Sequence, residues 1–174
     1  IRNYFRLEAG RQGYRKRISG ESRGGFFALA YSTAQLLFSV GGFEIRPVQS
    51  TDIKNKFTFN QYFTSRMFNC IIMLICMIGY IAVNGYTGVE ALTVFWILGY
   101  RMVEAVADVY SGLFQQRERI DISGKEMLMR SGISTITFTI ILWLTDNLLY
   151  AAMTLTLTSL VIMLFYDLHM KKYF

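Results

Sequence analysis

Long uncharged runs of hydrophobic residues dominate the chain. A helix rises about 1.5 Å per residue, so about 20 residues are needed to cross a hydrocarbon core about 30 Å thick. Backbone polar groups in lipid must be satisfied within their own segment, and runs of this length therefore predict α-helices. Three of the four runs reach the required length. The run at 131–145 is shorter, and it approaches this length once the apolar residues Leu128 and Met129 before it are included. The runs occupy residues 24–43, 67–89, 131–145 and 147–166.

A fifth predicted helix differs from the others because it carries charges. It runs from Gly88 to Arg119, and at about 100° per residue its polar side chains fall in one stripe about 60° wide. Charged groups at membrane depth cost several kcal/mol unless they are paired or face a cavity, so they mark a transport pathway or a polar interface. The stripe consists of Glu90, Arg101, Glu104, Asp108 and Gln115.

Together these segments predict an all-α fold, a polytopic transmembrane helical bundle with about five spanning helices. Ser123-Gly124 is a predicted turn, and Thr51 or Asp52 is expected to cap a short interfacial helix in the connector after the first span. Arg130, at the start of the fourth span, is expected to extend towards the head groups. The predicted spans are about 25–43, 66–85, 89–115, 128–145 and 147–167.

The basic residues between the spans give the orientation. One side of the membrane receives ten Lys and Arg residues and the other receives none, which makes the first side cytoplasmic. Residues 1–24 form a basic segment outside the membrane that falls on the wrong side of this pattern. Either a span is missing before residue 24, or the segment's reading frame or start is not the native one. The ten cations are Arg46, Lys54, Lys56, Arg66, Arg117, Arg119, Lys125, Arg130, Lys171 and Lys172.

Composition agrees with a membrane protein and argues against other classes. Only 17% of the residues are charged, whereas soluble domains average about 25%. The formal net charge of +6 fits basic flanks beside membrane spans, and no nucleic-acid recognition fold surrounds these residues. We find no phosphate-binding loop, nucleophile elbow, metal motif or cysteine framework. The sequence therefore predicts neither an enzyme nor a metal or cofactor site.

Three stretches of the chain resemble Wzx-type polysaccharide flippases, in the multidrug/oligosaccharidyl-lipid/polysaccharide exporter superfamily. The resemblance covers about residues 25–172, keeps the order and spacing of the spans, and corresponds to the N-terminal part of these transporters. It rests on diffuse membrane patterns. The stretches are GGFFALAYSTAQLLFSVGGFEIRPVQSTD, VEAVADVYSGLFQQRERIDISGK and LFYDLHM.

The resemblance implies a function in surface-polysaccharide biosynthesis, such as that of lipopolysaccharide O-antigen. A transporter of this family moves undecaprenyl-pyrophosphate-linked oligosaccharide across the bacterial inner membrane by alternating access between two lobes. It works among membrane lipids, between cytoplasmic glycosyltransferases and a polysaccharide polymerase, and the resemblance leaves proton or sodium coupling open. The five spans would be its second to sixth helices, so the chain is expected to be a fragment of a larger two-lobed transporter.

Two sets of side chains are candidates for the transport path, and each has a structural alternative. The stripe can line a hydrated cavity, with Arg101 attracting the pyrophosphate and Glu104 or Asp108 coupling to ions. The same three residues can instead form a structural ion cluster that satisfies itself. The pathway candidates are Arg101, Glu104, Asp108, Gln115, Glu90 and Gln35. A second set can form a cytoplasmic entrance for the substrate, although the positive charge of cytoplasmic loops explains its basic residues equally well. The entrance candidates are Arg46, Gln49, Asp52, Arg117 and Arg119.

Other functions stay open at this point. A multidrug or cation exporter of the same superfamily would show the same hydrophobic pattern. A membrane fragment that transports nothing would show it too. A membrane transferase is disfavoured, because the loops lack the acidic metal-binding motifs that such enzymes normally carry.

Overall fold

The computed structural model describes residues 24–39, 45–52 and 56–171, and almost all of the predicted segment 1–24 lies outside these ranges. Within them the chain forms six helices and no strand, which confirms the all-α fold class. We number the helices α1 (24–39), α2 (Ile45–Thr51), α3 (Phe59–Asn84), α4 (Gly88–Gln116), α5 (Ile120–Thr145) and α6 (Leu148–Lys171).

Three of the described helices are long and apolar enough to cross a membrane, namely α3, α5 and the part of α6 up to Tyr166. Only a minority of the residues in their apolar stretches are buried inside the bundle, 22% in α3, 11% in α5 and 33% in α6, as expected where lipid replaces water. Helix α4 is longer still, but its charges set it apart, and the described part of α1 is short. The chain is therefore a membrane protein built around α4.

Helix α4 is the centre of the bundle and packs against α2, α3, α5 and α6. Its second half presents small buried residues, including Ala105, Ala107 and Gly112, and small residues let neighbouring helices approach closely. Its first half joins a core to which α1, α3 and α6 also contribute. That core consists of Ala30, Ala34, Met73, Met77, Val94, Ile97, Leu98 and Ala152.

The two tight turns of the bundle follow the sequence prediction. Helix α3 ends at Asn84, and Gly85 adopts a left-handed conformation with φ of 67°, which glycine tolerates without strain. Helices α5 and α6 are separated by Asp146 and Asn147, and the Asn147 side chain accepts the backbone N–H of Leu149 at 3.0 Å. Both pairs therefore form antiparallel hairpins.

Two helices begin earlier than the predicted spans. Helix α3 starts at Phe59, where the Thr58 backbone N–H donates to Oε1 of Gln61 at 2.8 Å, half of a capping box. Helix α5 starts at Ile120 and runs through Ser123-Gly124, so the predicted turn is wrong. Ile122 is buried against Tyr110 and Phe114 of α4, and this burial outweighs the roughly 1 kcal/mol that a glycine costs inside a helix.

The short helix α2 lies along the C-terminal third of α4 in a parallel direction. Arg46 reaches Asp108 at 3.2 Å, and the Gln116 side chain donates to the backbone carbonyl of Asp52 at 2.7 Å. Between these contacts, Gln49 is fully buried and lies against the backbone of Gly112. The three contacts follow a spacing of three residues on α2 and four on α4, so they fix one register.

The predicted cap of the connector helix is placed differently in the structure. Thr51 ends α2 instead of preceding a helix, and its hydroxyl donates to the carbonyl of Pro47 at 2.8 Å. The Asp52 carboxylate accepts the backbone N–H groups of Lys56 and Phe57 at 2.9 and 3.0 Å. Asp52 therefore fixes Lys56 and Phe57, the residues that lead into α3.

We expect Gly112→Ala to loosen α2, because a Cβ atom at this position would lie 2.6 Å from Oε1 of the buried Gln49. Overpacking of this kind costs about 1–3 kcal/mol, and each 1.4 kcal/mol raises the undocked fraction about tenfold. Labelling of Ile45→Cys, a position buried in the docked state, by a membrane-impermeant maleimide measures that fraction. Gly79→Ala is the control, since nothing lies within 4 Å of a Cβ there. Equal labelling in both backgrounds would contradict the docking geometry.

Candidate functional site

In the part of the chain that the structure describes, seven charged side chains from four helices lie at similar depth in the bundle, and we call them the charged layer. Measured along the helix axis from the start of α4, Arg101 lies at about 20 Å and Asp108 at about 30 Å. Measured along α5 from the α5–α6 turn, Arg130 lies at about 24 Å and Glu126 at about 30 Å. The layer thus occupies the part of the bundle nearest the basic connectors. Its members are Arg46 of α2, Arg66 of α3, Arg101, Glu104 and Asp108 of α4, and Glu126 and Arg130 of α5.

Three ion pairs between described residues organise the layer. Arg101 pairs with Glu104 one turn further along α4, and Arg46 pairs with Asp108 across the α2–α4 contact at 3.2 Å. The sequence alternative in which Arg101, Glu104 and Asp108 satisfy one another is therefore wrong for Asp108. Its carboxylate also lies in the electrostatic field of Arg66. The stripe on α4 is completed by side chains from neighbouring helices.

The third pair, Glu126 with Arg130 on α5, is absent from the sequence candidates. The two side chains meet at 2.5 Å and are 0% and 4% exposed. Arg130 was expected to extend towards the head groups, and that prediction is wrong because its guanidinium is held inside the bundle by Glu126. The four-residue spacing of Glu126 and Arg130 is the signal that indicates such a pair in a sequence.

Arg66 was counted among the loop cations, yet it is 2% exposed. The early start of α3 places it more than a turn inside that helix, where it faces the layer. No spacing signal points to Arg66 in the sequence, because its neighbours in the layer come from other helices. Burial of this arginine is a result of tertiary packing alone.

Several buried polar atoms in and around the layer have no hydrogen-bond partner among the described residues. They include both amide atoms of Gln49, Nε of Arg101, Oε2 of Glu126, Nη1 of Arg130 and Nδ2 of Asn69. A buried polar atom left in this state costs about 1–3 kcal/mol, and native interiors contain few of them. The charged layer therefore holds more hydrogen-bonding capacity than its own ion pairs use.

An aromatic ring on α1 helps to position Arg101. The Arg101 guanidinium carbon lies 4.2 Å from the ring centroid of Tyr31 and 5.6 Å from that of Tyr100. Cation–π contacts at these distances contribute up to about 2 kcal/mol when they are shielded from water. The Arg101 guanidinium is thus held by two contacts, an ion pair from Nη1 to the Glu104 carboxylate and a cation–π contact with the Tyr31 ring.

The other sequence candidates lie outside this layer. Glu90 lies near the opposite end of α4, where it lines a cavity of about 490 Å³ with Asp146 and Asn147. Gln35 and Gln115 are half-buried, and it is Gln116, one residue further, that reaches the connector. The entrance candidates on the α4–α5 loop are exposed: Arg117 lies at the surface, and Arg119 pairs with Asp121 at 2.9 Å.

Asp52 plays a structural part in the connector. Besides its two backbone contacts, its Oδ2 accepts the hydroxyl of Tyr62 at 3.0 Å. The backbone N–H groups of Lys56 and Phe57 hold the pKa of Asp52 below its ordinary value of 3.8. These hydrogen bonds are therefore complete above the unfolded-state pKa, and their contribution to folding stability is lost as the pH falls through the lowered pKa.

We expect Glu126→Gln to destabilise the protein strongly, because it leaves the Arg130 cation buried without its counterion. Breaking a buried pair in this way costs about 3–5 kcal/mol, and thermal unfolding in detergent measures the effect. The double variant Glu126→Met with Arg130→Met removes both charges and should recover most of the loss. Glu118→Gln, at an exposed site, is the control. A melting temperature for Glu126→Gln equal to the wild-type value would contradict a buried pair.

Comparison with protein-family profiles, with curated proteins and with solved structures found no match for this chain. Within the described residues, no three His, Cys, Asp or Glu side chains are grouped as metal ligands. The chemistry that the described site offers is ionic: arginines and carboxylates in a layer of the bundle, with unused hydrogen-bonding atoms beside them. The functional inference therefore depends on this charged layer and on the apolar helices that surround it.

Proposed function

We propose that this chain is part of a flippase that moves lipid-linked oligosaccharide repeat units across the bacterial inner membrane for surface-polysaccharide biosynthesis. The lipid carrier would be undecaprenyl pyrophosphate, as the sequence resemblance implies. The observation that carries the proposal is the charged layer, in which Arg101 and Arg130 keep buried guanidinium nitrogens without a hydrogen-bond partner among the described residues. Unused arginine donors inside an apolar bundle favour an anionic head group.

The geometry of the arginines supports a phosphate-bearing substrate. Arginine presents a planar fork of donors that matches phosphate oxygens in pairs. Arg101 and Arg130 each keep a buried guanidinium nitrogen without a partner among the described residues. These donors are oriented by Glu104, Tyr31 and Glu126, so little ordering is required when an anion arrives.

The apolar exterior of the bundle supports a substrate with a lipid tail. Helices α3 and α5 expose large hydrophobic side chains, among them Ile71, Ile75, Ile136 and Trp143. In a membrane these faces contact acyl chains, so a polyprenyl tail can stay in the bilayer while its head group occupies the polar interior.

Replacement of Arg101 tests this proposal. We expect Arg101→Ala, in the protein expressed from its full coding sequence and reconstituted in liposomes, to lower flipping of a fluorescent lipid-linked oligosaccharide to the protein-free background. The loss follows from removing one of the oriented donors of the layer. Arg101→Lys keeps the charge but loses the planar fork, and an intermediate rate is expected. Lys125→Ala removes an exposed charge and serves as the control.

The results can contradict the proposal in separate ways. An unchanged flipping rate in folded Arg101→Ala would exclude the layer from the path. Loss of folded protein in both Arg101 variants would indicate a structural role for this side chain. Chemical change of the recovered substrate would indicate an enzyme, because flipping leaves the molecule intact. Uptake of an organic cation, with no flipping of the lipid, would support the exporter alternative.

A further inference from the structure

A cavity of about 310 Å³ opens beside the charged layer where α1, α2, α3 and α4 meet. This volume is at the lower limit of typical ligand pockets, so it suits a phosphate or diphosphate group and is too small for an oligosaccharide. The end of α1 and the start of α2 supply most of its wall. The lining residues are Phe38, Ser39, Ile45, Arg46, Pro47, Arg66 and Asp108.

Among the described lining residues, charge is supplied by two arginines and one carboxylate. Arg66 is almost fully buried, and Arg46 and Asp108 keep 29% and 20% of their side chains exposed. The Arg46–Asp108 pair uses one nitrogen and one oxygen at 3.2 Å, so it is a single contact and not a bidentate one. An anion that reaches the cavity meets a cation already occupied by a replaceable carboxylate.

We propose that this cavity binds a phosphate-group anion and that Asp108 is its internal competitor. The incoming anion takes the place of the Asp108 carboxylate on Arg46 and gains the field of Arg66. A phosphate group has several oxygens for the arginine fork, whereas Asp108 supplies one in the docked state. This inference rests on the proposed function for the identity of the anion and adds a means by which binding is regulated.

Exchange of the pair has a consequence for α2. Arg46 belongs to α2 and Asp108 to α4, so the first of the three contacts that dock α2 is broken when an anion binds. The remaining contacts are the bond between Gln116 and the carbonyl of Asp52 and the packing of Gln49 on Gly112. The amide atoms of Gln49 are buried without partners among the described residues, which weakens the docked state. Binding of the anion and release of α2 are therefore linked.

Calorimetric titration of the detergent-purified protein with inorganic pyrophosphate tests the proposal. Asp108→Asn removes the competitor, and we expect the affinity for pyrophosphate to rise about five- to tenfold, as for the loss of a partly exposed ion pair together with its repulsion of the anion. Arg46→Gln should lower the affinity about tenfold or more. Asp121→Asn, which neutralises the carboxylate of the exposed Arg119–Asp121 pair, is the matched control and should leave the affinity unchanged.

A second variant keeps the test decisive if Asp108→Asn folds poorly. Arg46→Gln combined with Asp108→Asn has the net charge of the wild type. Its affinity should exceed that of Arg46→Gln alone by less than the five- to tenfold gain expected when Arg46 is present, because only the repulsion by Asp108 is then removed. Equal affinity in the wild type, Asp108→Asn and Arg46→Gln would overturn the site. An equal gain in Asp108→Asn and Asp121→Asn would also overturn it, because net charge would then explain the effect.

Two probes distinguish the sources of the anion. Farnesyl pyrophosphate that binds more tightly than inorganic pyrophosphate would assign the site to a lipid-linked diphosphate. Equal affinity for the two probes would assign the site to the phosphate group alone. With either probe, Asp108→Asn must raise the affinity and Arg46→Gln must lower it. A protein that binds pyrophosphate in this pattern but flips no lipid would keep the site and reject the flippase. Flipping without these affinity changes would reject the site alone.

Discussion

Charge neutralisation inside an apolar bundle is the constraint on which the rest of the structure depends. Helix α4 carries Arg101, Glu104 and Asp108 into a region where an isolated charge costs several kcal/mol. Within the described chain, each of these side chains is met by a partner, either one turn away on α4 or on α2. The position of α4 at the centre follows from this, because a central helix has neighbouring helices along its polar stripe that can supply partners for its charges.

The docking of α2 illustrates how a polar and a steric requirement combine. The Arg46–Asp108 pair and the bond from Gln116 to the Asp52 carbonyl act at the two ends of the contact. Gly112, lying between them, lets the buried Gln49 approach the α4 backbone. A seven-residue helix has few intrahelical hydrogen bonds and is not stable alone. Its conformation is therefore a property of the α4 surface as much as of its own sequence.

The fold was largely predictable because hydrophobic run length and helical rise determine it. The α3–α4 and α5–α6 turns were predictable from Asn84-Gly85 and Asp146-Asn147, where local chemistry and tertiary structure agree. The Ser123-Gly124 turn was not, because Ile122 is buried against α4 and the helix continues through the glycine.

The site was predictable only as far as a single helix determines it. The polar stripe of α4 gave Arg101, Glu104 and Asp108, and the connector gave Arg46 and Gln49. The pairing of Asp108 with Arg46 and the burial of Arg66 depend on contacts between helices. The hydrophobic periodicity of a single helix carries no information about such contacts. Glu126 and Arg130 were missed although their spacing is regular, since an Arg near the start of a hydrophobic run is normally a loop cation.

The pairing within the charged layer also has a consequence for how the chain enters the membrane during synthesis. Glu104 follows Arg101 by three residues, and Glu126 precedes Arg130 by four, so both pairs form within one turn of a nascent helix. Asp108 alone depends on a distant partner, and that partner, Arg46, leaves the ribosome first. Domains and segments are completed from the N-terminus onward. The order of synthesis therefore offers every carboxylate of the layer an arginine before the later helices insert, and the bundle can be assembled one helix at a time without a stranded carboxylate.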